Sequence, residues 1–169
     1  MNEQDETKMN FTVDELKNIP QLNLLSYYQL VEHLGQEIEA KFGIPKIVPI
    51  AQSAHESRNG NSGLARNHCN LFGITATDSW KKKQKPIALM PTWEIIKGKR
   101  VDMDREFRKY GDWKESFEDW AGLITGLSVY KKAYGLFKEN KIAEGIADMG
   151  LVYATDTNYA KKLVEIYRE

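Results

Sequence analysis

Residues 45–57 read PKIVPIAQSAHES, and RNGNSG follows over 58–63. Pro45 suits the first turn of a helix, because its missing N–H would be unpaired there and its φ is already near the helical value. Ile47, Ile50, Ala51 and Ala54 recur at spacings of one, three and four and mark one apolar face. The Asn- and Gly-rich cluster from Arg58 to Gly63 then stops the helix. A short apolar helix therefore carries Glu56 to its C-terminal end, with Gln52, Ser53 and Ser57 nearby. Burial disfavours an ionised carboxyl, so a glutamate so placed can stay protonated near neutral pH and act as a general acid.

Upstream, Tyr27, Leu30, Val31, Leu34, Ile38 and Phe42 recur at three and four, and Gly43 sits where that helix would stop. Thr12 with Glu15, and Ser26 with Gln29, have the spacing of capping boxes. Residues 1–10 read as a flexible polar leader. Downstream the pattern becomes strand-like between Met90 and Met103. Trp93, Ile95 and Ile96 precede Lys97-Gly98-Lys99, and Val101 and Met103 alternate with Arg100, Asp102 and Asp104, which predicts a β-hairpin. Helical character returns after Asp112, with Phe117, Trp120, Ala121, Ile124 and Leu127 on one face, then from Ile142 to Met149 and from Thr157 to Tyr167. No repeat or linker divides residues 11–169, which predicts one mainly α-helical domain with a small sheet insertion.

Composition excludes several classes. With 169 residues, 41% of them hydrophobic, 28% charged and 11% aromatic, the chain has the profile of a folded domain rather than of disorder, collagen or a coiled coil. No stretch approaches the roughly 18 apolar residues of a membrane span, so no membrane insertion is expected. The first ten residues carry more acid than base with no apolar run behind them, unlike a Sec-type signal peptide. The single cysteine, Cys69, excludes an internal disulfide framework. His55-Glu56 begins the zinc motif His-Glu-x-x-His, but Asn59 occupies the second histidine's place, and adjacent His68 and Cys69 are poorly spaced for one ion, so no metal is expected. No nucleophile elbow and no phosphate-cradling Gly-rich loop is present.

The 24 basic and 24 acidic residues are unevenly spread. Residues 79–109 hold 10 of the basic residues against 4 acidic ones. Lys81-Lys82-Lys83 lacks a nucleic-acid-binding fold around it, so no nucleic-acid partner is expected; the basic segment suits an anionic polymer or a solvated loop. Within it Glu94 lies between Trp93 and Ile95, where a carboxylate is unfavourable unless it faces a cleft or water. Two carboxyls on separate elements are what glycosidic cleavage uses.

The residues resemble a known family. Ala51-Gln52-Ser53-Ala54-His55-Glu56-Ser57, then Ser62-Gly63-Leu64-Ala65, then Asn70-Leu71-Phe72-Gly73-Ile74, are similar to the signature of the bacterial glucosaminidase family of peptidoglycan hydrolases, glycoside hydrolase family 73. Pro91-Thr92-Trp93-Glu94 with Gly98 and Val101, then Phe107-Arg108-Lys109-Tyr110, Ser116 and Asp119, and finally Tyr153-Ala154-Thr155-Asp156 with Tyr159-Ala160, continue the match in order. The resemblance spans about residues 45–168. It implies a lysozyme-like, mostly helical α+β fold with a β-hairpin lobe beside a glycan cleft. By the same resemblance Glu56 is the catalytic acid, Glu94 the second carboxylate and Tyr153 the tyrosine near the catalytic glutamate. Asn70, Phe72 and Gly73 match the cleft lining, where a ring can meet a sugar face and an amide an N-acetyl group; Tyr159 joins the substrate-binding set.

The implied reaction is endo hydrolysis of the β-1,4 bond between N-acetylglucosamine and N-acetylmuramic acid, without a cofactor, by a monomer whose partner is peptidoglycan glycan strands at the bacterial cell wall. Muramidase or lytic transglycosylase action on the same glycan, or glycan binding without catalysis, are the alternatives. Trp80 and Trp93, in or beside the basic segment, are the sugar-stacking candidates, whereas Tyr27, Trp113, Phe117 and Trp120 at helical spacing suit a core. The chain departs from the common pattern at Arg58-Asn59-Gly60, where Gly-Trp-Gly is frequent, at His55, at Thr75 and at Thr157.

Overall fold

The computed structural model describes residues 9–153. The chain enters through Met9 and Phe11, which already pack on the core inside or beside the segment read as leader. Helix α1 (Val13–Leu16) is capped by Thr12 in a reciprocal box with Glu15. Helix α2 (Leu24–Phe42) is capped by Asn23, with Ser26 as the reciprocating partner, one turn earlier than the Ser26/Gln29 spacing suggests. Asparagine is as good a cap as serine, and Leu24 and Leu25 extend the helix without cost. Tyr27, Val31, Leu34 and Ile38 are its buried stripe, and Gly43 ends it in the left-handed region at φ +75°.

Helix α3 (Ile47–Ser57) begins just after Pro45, whose carbonyl accepts from Val48 N–H at 3.0 Å in the entry turn. Two short helices were not legible in the periodicity: α4 (Gly63–His68), capped by Ser62, and α5 (Asp78–Lys82), capped by Thr77. Strands β1 (Ile87–Ile96) and β2 (Lys99–Arg108) pair antiparallel, Ile96 opposite Lys99. Lys97 and Gly98 form the two-residue turn, with φ +52° and +79°, the positive pair that suits the twist of a hairpin. Helix α6 (Trp113–Gly126), capped by Asp112, is followed by a single 3-10 turn (Ser128–Tyr130), α7 (Lys131–Lys138) and α8 (Ile142–Tyr153). The helix expected over Thr157–Tyr167 lies outside the described residues.

The helices close around an aromatic core. Trp113 stacks on Phe11 at 5.0 Å between ring centres and meets Tyr27 edge-on at 5.9 Å, while its indole N–H donates to Ala65 O at 3.0 Å. A β-carbon at Gly60 would stand 2.9 Å from Trp113, so only glycine admits this ring beside the turn after α3. Trp120 stacks on Phe72 at 5.3 Å, and Phe117 meets Phe72 edge-on. Each such ring removes about 150–250 Å² from water, which makes these side chains the largest apolar contribution to the fold. Near the described C-terminal end, Phe137 of α7 lies against Gly145 of α8, where an added β-carbon would stand 2.5 Å from the ring.

A polar knot joins this core to the hairpin. Asn70, 1% exposed, donates through Nδ2 to Ile74 O (3.0 Å) and Arg108 O (2.9 Å) and accepts at Oδ1 from the N–H groups of Gly73 (2.9 Å) and Ile74 (3.3 Å). Arg108, at the end of β2, donates its backbone N–H to Ile74 O and its guanidinium to Thr75 O and Asp119. Tyr110 donates its hydroxyl to the same Asp119 oxygen, and Leu71 N–H donates to Ser116 Oγ. The loop of residues 70–74 is thereby tied to α6 and to the base of the hairpin.

Two substitutions test these constraints. Asn70→Ala takes the Asn70 bond from the N–H groups of Gly73 and Ile74 and from Arg108 O, while Ile74 O keeps the Arg108 N–H, and is expected to lower unfolding free energy by about 2–4 kcal/mol in urea denaturation. Gly145→Ala forces Phe137 aside and is expected to cost about 1–3 kcal/mol by the same measurement.

Candidate active site

Glu56 occupies the last turn of α3, half-buried, because the apolar face of that helix is drawn into the core and its end is stopped by Arg58 at φ +52°. Gly73, at φ +68°, comes up against it: a β-carbon there would stand 3.4 Å from Glu56 Oε2. The left-handed backbone and this approach both favour glycine. One turn before Glu56, on the same helical face, buried Gln52 accepts from Trp120 Nε1 at 3.0 Å, so α3 is locked to α6 beside the carboxyl. Gln52 Nε2 is buried with no hydrogen-bond partner among the described residues.

Three of the expected sugar-contacting residues are instead structural. Asn70 has both N–H donors and its oxygen engaged by backbone, so its amide is not presented to an N-acetyl group. Phe72, fully buried, is a core ring between Trp120 and Phe117 and offers no face to a sugar. Trp80 is 8% exposed: its indole N–H donates to Pro86 O at 2.8 Å, Arg108 lies over its ring at 4.6 Å and Tyr110 meets it edge-on, so it clamps the hairpin base rather than forming a platform. In each case an apolar or amide side chain that reads as available in sequence is consumed by tertiary packing.

The strand register sorts the hairpin residues. Ala88, Met90, Thr92 and Glu94 share one face with Phe107, Arg105, Met103 and Val101, and Trp93 lies on the other with Asp102 and Arg100. The Glu94 face is turned toward the start of α4, since Met90 Cε lies 3.8 Å from where a Gly63 β-carbon would be. Trp93, half exposed with Arg100 over its ring at 5.0 Å, therefore lies on the face of the hairpin opposite Glu94. Glu94 pairs with Arg105, both close to half exposed, an ion pair worth no more than about 1 kcal/mol that a substrate can displace. Tyr153 closes α8; its side chain and all of Tyr159 lie outside the described residues.

The arrangement offers a half-buried carboxyl at a helix end, a glycine that leaves room over it and a second carboxylate on a separate element. Burial pushes the Cys69 thiol up to about 12, which keeps it from serving as a nucleophile. Among the described residues no three His, Cys, Asp or Glu side chains converge as a metal site, and no helix is long and apolar enough to cross a membrane. Sequence reasoning assigned no role to the tie between Gln52 and Trp120 or to the Asn70 knot; the one available signal was Gln52 lying among the apolar positions Ile50, Ala51 and Ala54.

Comparison with known proteins bears on this geometry. The glucosaminidase family, described as mannosyl-glycoprotein endo-beta-N-acetylglucosaminidase, matches residues 32–169. The chain is 30% identical over 131 residues to the peptidoglycan hydrolase FlgJ of Escherichia coli K12, covering 75% of this chain and 40% of that protein. It is 37% identical over 139 residues to the exo-glucosaminidase LytG of Bacillus subtilis, covering 78% and 46%. The chain thus spans less than half the length of these relatives. Among solved structures, the catalytic domain of the autolysin Auto from Listeria monocytogenes superposes with a TM-score of 0.72 at 25% identity, covering 99% of this chain and 94% of that one. A C-terminally truncated glycoside hydrolase domain of Salmonella typhimurium FlgJ does so at 0.69 and 26%, covering 86% and 96%. The mainly helical fold with its two-stranded hairpin is that of these domains, and the chain belongs to the glucosaminidase family.

Proposed function

We propose that this chain is a peptidoglycan hydrolase that cleaves the β-1,4 bond between N-acetylglucosamine and N-acetylmuramic acid, with Glu56 as general acid. The observation that carries the reading is the pairing of Glu56 with Gly73: the carboxyl stands at the end of a buried helix, and the loop beside it has no side chain to fill the space above. The names of the similar proteins, a peptidoglycan hydrolase and an exo-glucosaminidase, support the substrate class.

Glu56 gives its proton to the glycosidic oxygen as the bond to the anomeric carbon breaks and positive charge develops on the sugar. Glu94, on the hairpin face turned toward α4, is the second carboxylate: freed from Arg105, it takes a proton from the water that adds to the anomeric carbon, which inverts the configuration. Where the substrate's own N-acetyl group attacks instead, configuration is retained and Glu94 stabilises the charge. Tyr153 completes the proposed catalytic set and Tyr159 the substrate-binding one. The chain acts as a monomer at the cell wall.

Glu56→Gln is expected to fold normally and lose about 100- to 10,000-fold in turnover on purified peptidoglycan. Mass spectrometry of the wild-type digest should show reducing ends on N-acetylglucosamine; ends on N-acetylmuramic acid, or anhydro ends, would overturn the bond assignment. Gly73→Ala, which crowds Glu56 and strains a left-handed backbone, is expected to lower turnover by about 10- to 100-fold with its effect in kcat rather than KM.

A further inference from the structure

Directly after α3 the backbone takes three left-handed residues in succession, Arg58 (φ +52°), Asn59 (+60°) and Gly60 (+77°). Glycine and asparagine take this region readily; arginine takes it less readily. Arginine at this position therefore sits in a disfavoured conformation, and what it adds over glycine is a charge. That charge is not used within the fold: Arg58 is exposed and makes no ion pair or hydrogen bond through its guanidinium among the described residues.

Arg58 lines a cavity of about 630 Å³ between the turn after α3 and the segment 19–22, with Gln21, Asn59, Asn61 and Arg66 also in its wall. Arg66 is held rigidly. Its Nε donates to Gly60 O (2.7 Å), Nη1 to Leu16 O and Ile19 O (3.0 and 2.6 Å), and Nη2 to Pro20 O and Asn61 Oδ1 (2.9 and 3.2 Å). Those partners are all neutral, so its charge is oriented without being cancelled. No carboxylate lines the cavity. Every N–H of Arg66 is thus engaged, so it contributes charge alone, and the donors that can meet an anion in this cavity are those of Arg58, beside amide side chains and with no counter-charge in the wall.

We propose that this cavity is a carboxylate subsite, with Arg58 as its recognition residue, for the peptide that peptidoglycan carries on N-acetylmuramic acid. This rests on the glycan reading of Glu56. The Cα of Arg58 lies about 5–6 Å from that of Glu56 along the helix end, and two extended peptide residues reach about 7 Å, so a peptide tethered next to the scissile bond can place its carboxylate there.

The test compares wild type with Arg58→Gly, which also relieves the backbone and so keeps the fold. Both are assayed on peptide-bearing glycan strands and on the same strands stripped by an amidase. Wild type is expected to show a kcat/KM about tenfold higher on the peptide-bearing strands, mostly through KM, and the advantage should vanish in Arg58→Gly, with both proteins alike on stripped strands. An equal advantage in the two proteins, or none in wild type, overturns the subsite. Should wild type cleave neither substrate, the hydrolase reading fails, and titration decides the subsite alone. N-acetylmuramyl dipeptide should then bind wild type about tenfold tighter than Arg58→Gly and tighter than its amidated form; equal binding overturns it.

Discussion

The side chain of Asn70 is the constraint on which the site depends. Loops beside clefts have few neighbours to satisfy their backbone, and a buried unpaired amide or carbonyl costs about 1–3 kcal/mol. One asparagine answers for three such groups here, the N–H of Gly73, the N–H of Ile74 and the carbonyl of Arg108, and adds a second bond to Ile74 O. Because two of the bonds go to the loop's N–H groups and one to the end of β2, the same residue fixes the turn that presents Gly73 to Glu56 and the point from which the hairpin departs. No apolar side chain of equal volume could replace it, since the partners are backbone and cannot be exchanged for methyl groups.

Seen this way, much of the sequence pattern that resembles the family describes scaffold. Arg108, Tyr110 and Asp119 form a partly buried cluster in which one carboxylate serves a guanidinium and a phenol, and Ser116 takes a loop N–H. Removing Arg108 or Asp119 would leave the other's charge uncompensated in a partly buried place. Among the described residues, those left for the proposed chemistry are few: a glutamate at a helix end, a glycine beside it and a glutamate on the hairpin.

The long elements were legible because their signals are local. The stripe from Tyr27 to Ile38, the stop at Gly43, the Asp112 cap and the Lys97-Gly98 turn each depend on residues within a few positions of one another. Helices α4 and α5, of six and five residues, are too short to display a period, and the register of the Asn23 cap turned on a choice between two adequate capping residues. Glu56 and Gly73 were legible as motif members, but their approach was not, because seventeen positions of chain separate them. The packing of Trp80, Phe72 and Asn70, expected as sugar-contacting residues, was hidden for the same reason: whether a ring or amide is available depends on what distant residues, Arg108, Pro86 and Trp120, place against it.

The hairpin meets the rest of the described chain near its base, through the Thr75–Phe107 bridge, the bond from Ala76 N–H to Glu106 O, the contacts of Arg108 and Lys109, and the Lys81–Glu106 pair. Its tip, from Ile95 to Arg100, is exposed throughout. Glu94 is seven residues beyond Ile87, about 23 Å along the strand, so the hairpin is a lever with its fulcrum at the Asn70 knot. A tilt of about 10° at the fulcrum swings the carboxylate through about 4 Å, comparable to the difference in carboxyl spacing that separates retaining from inverting glycosidases. The stiffness of a few hydrogen bonds at one end of the hairpin thus sets the position of an acid near the other.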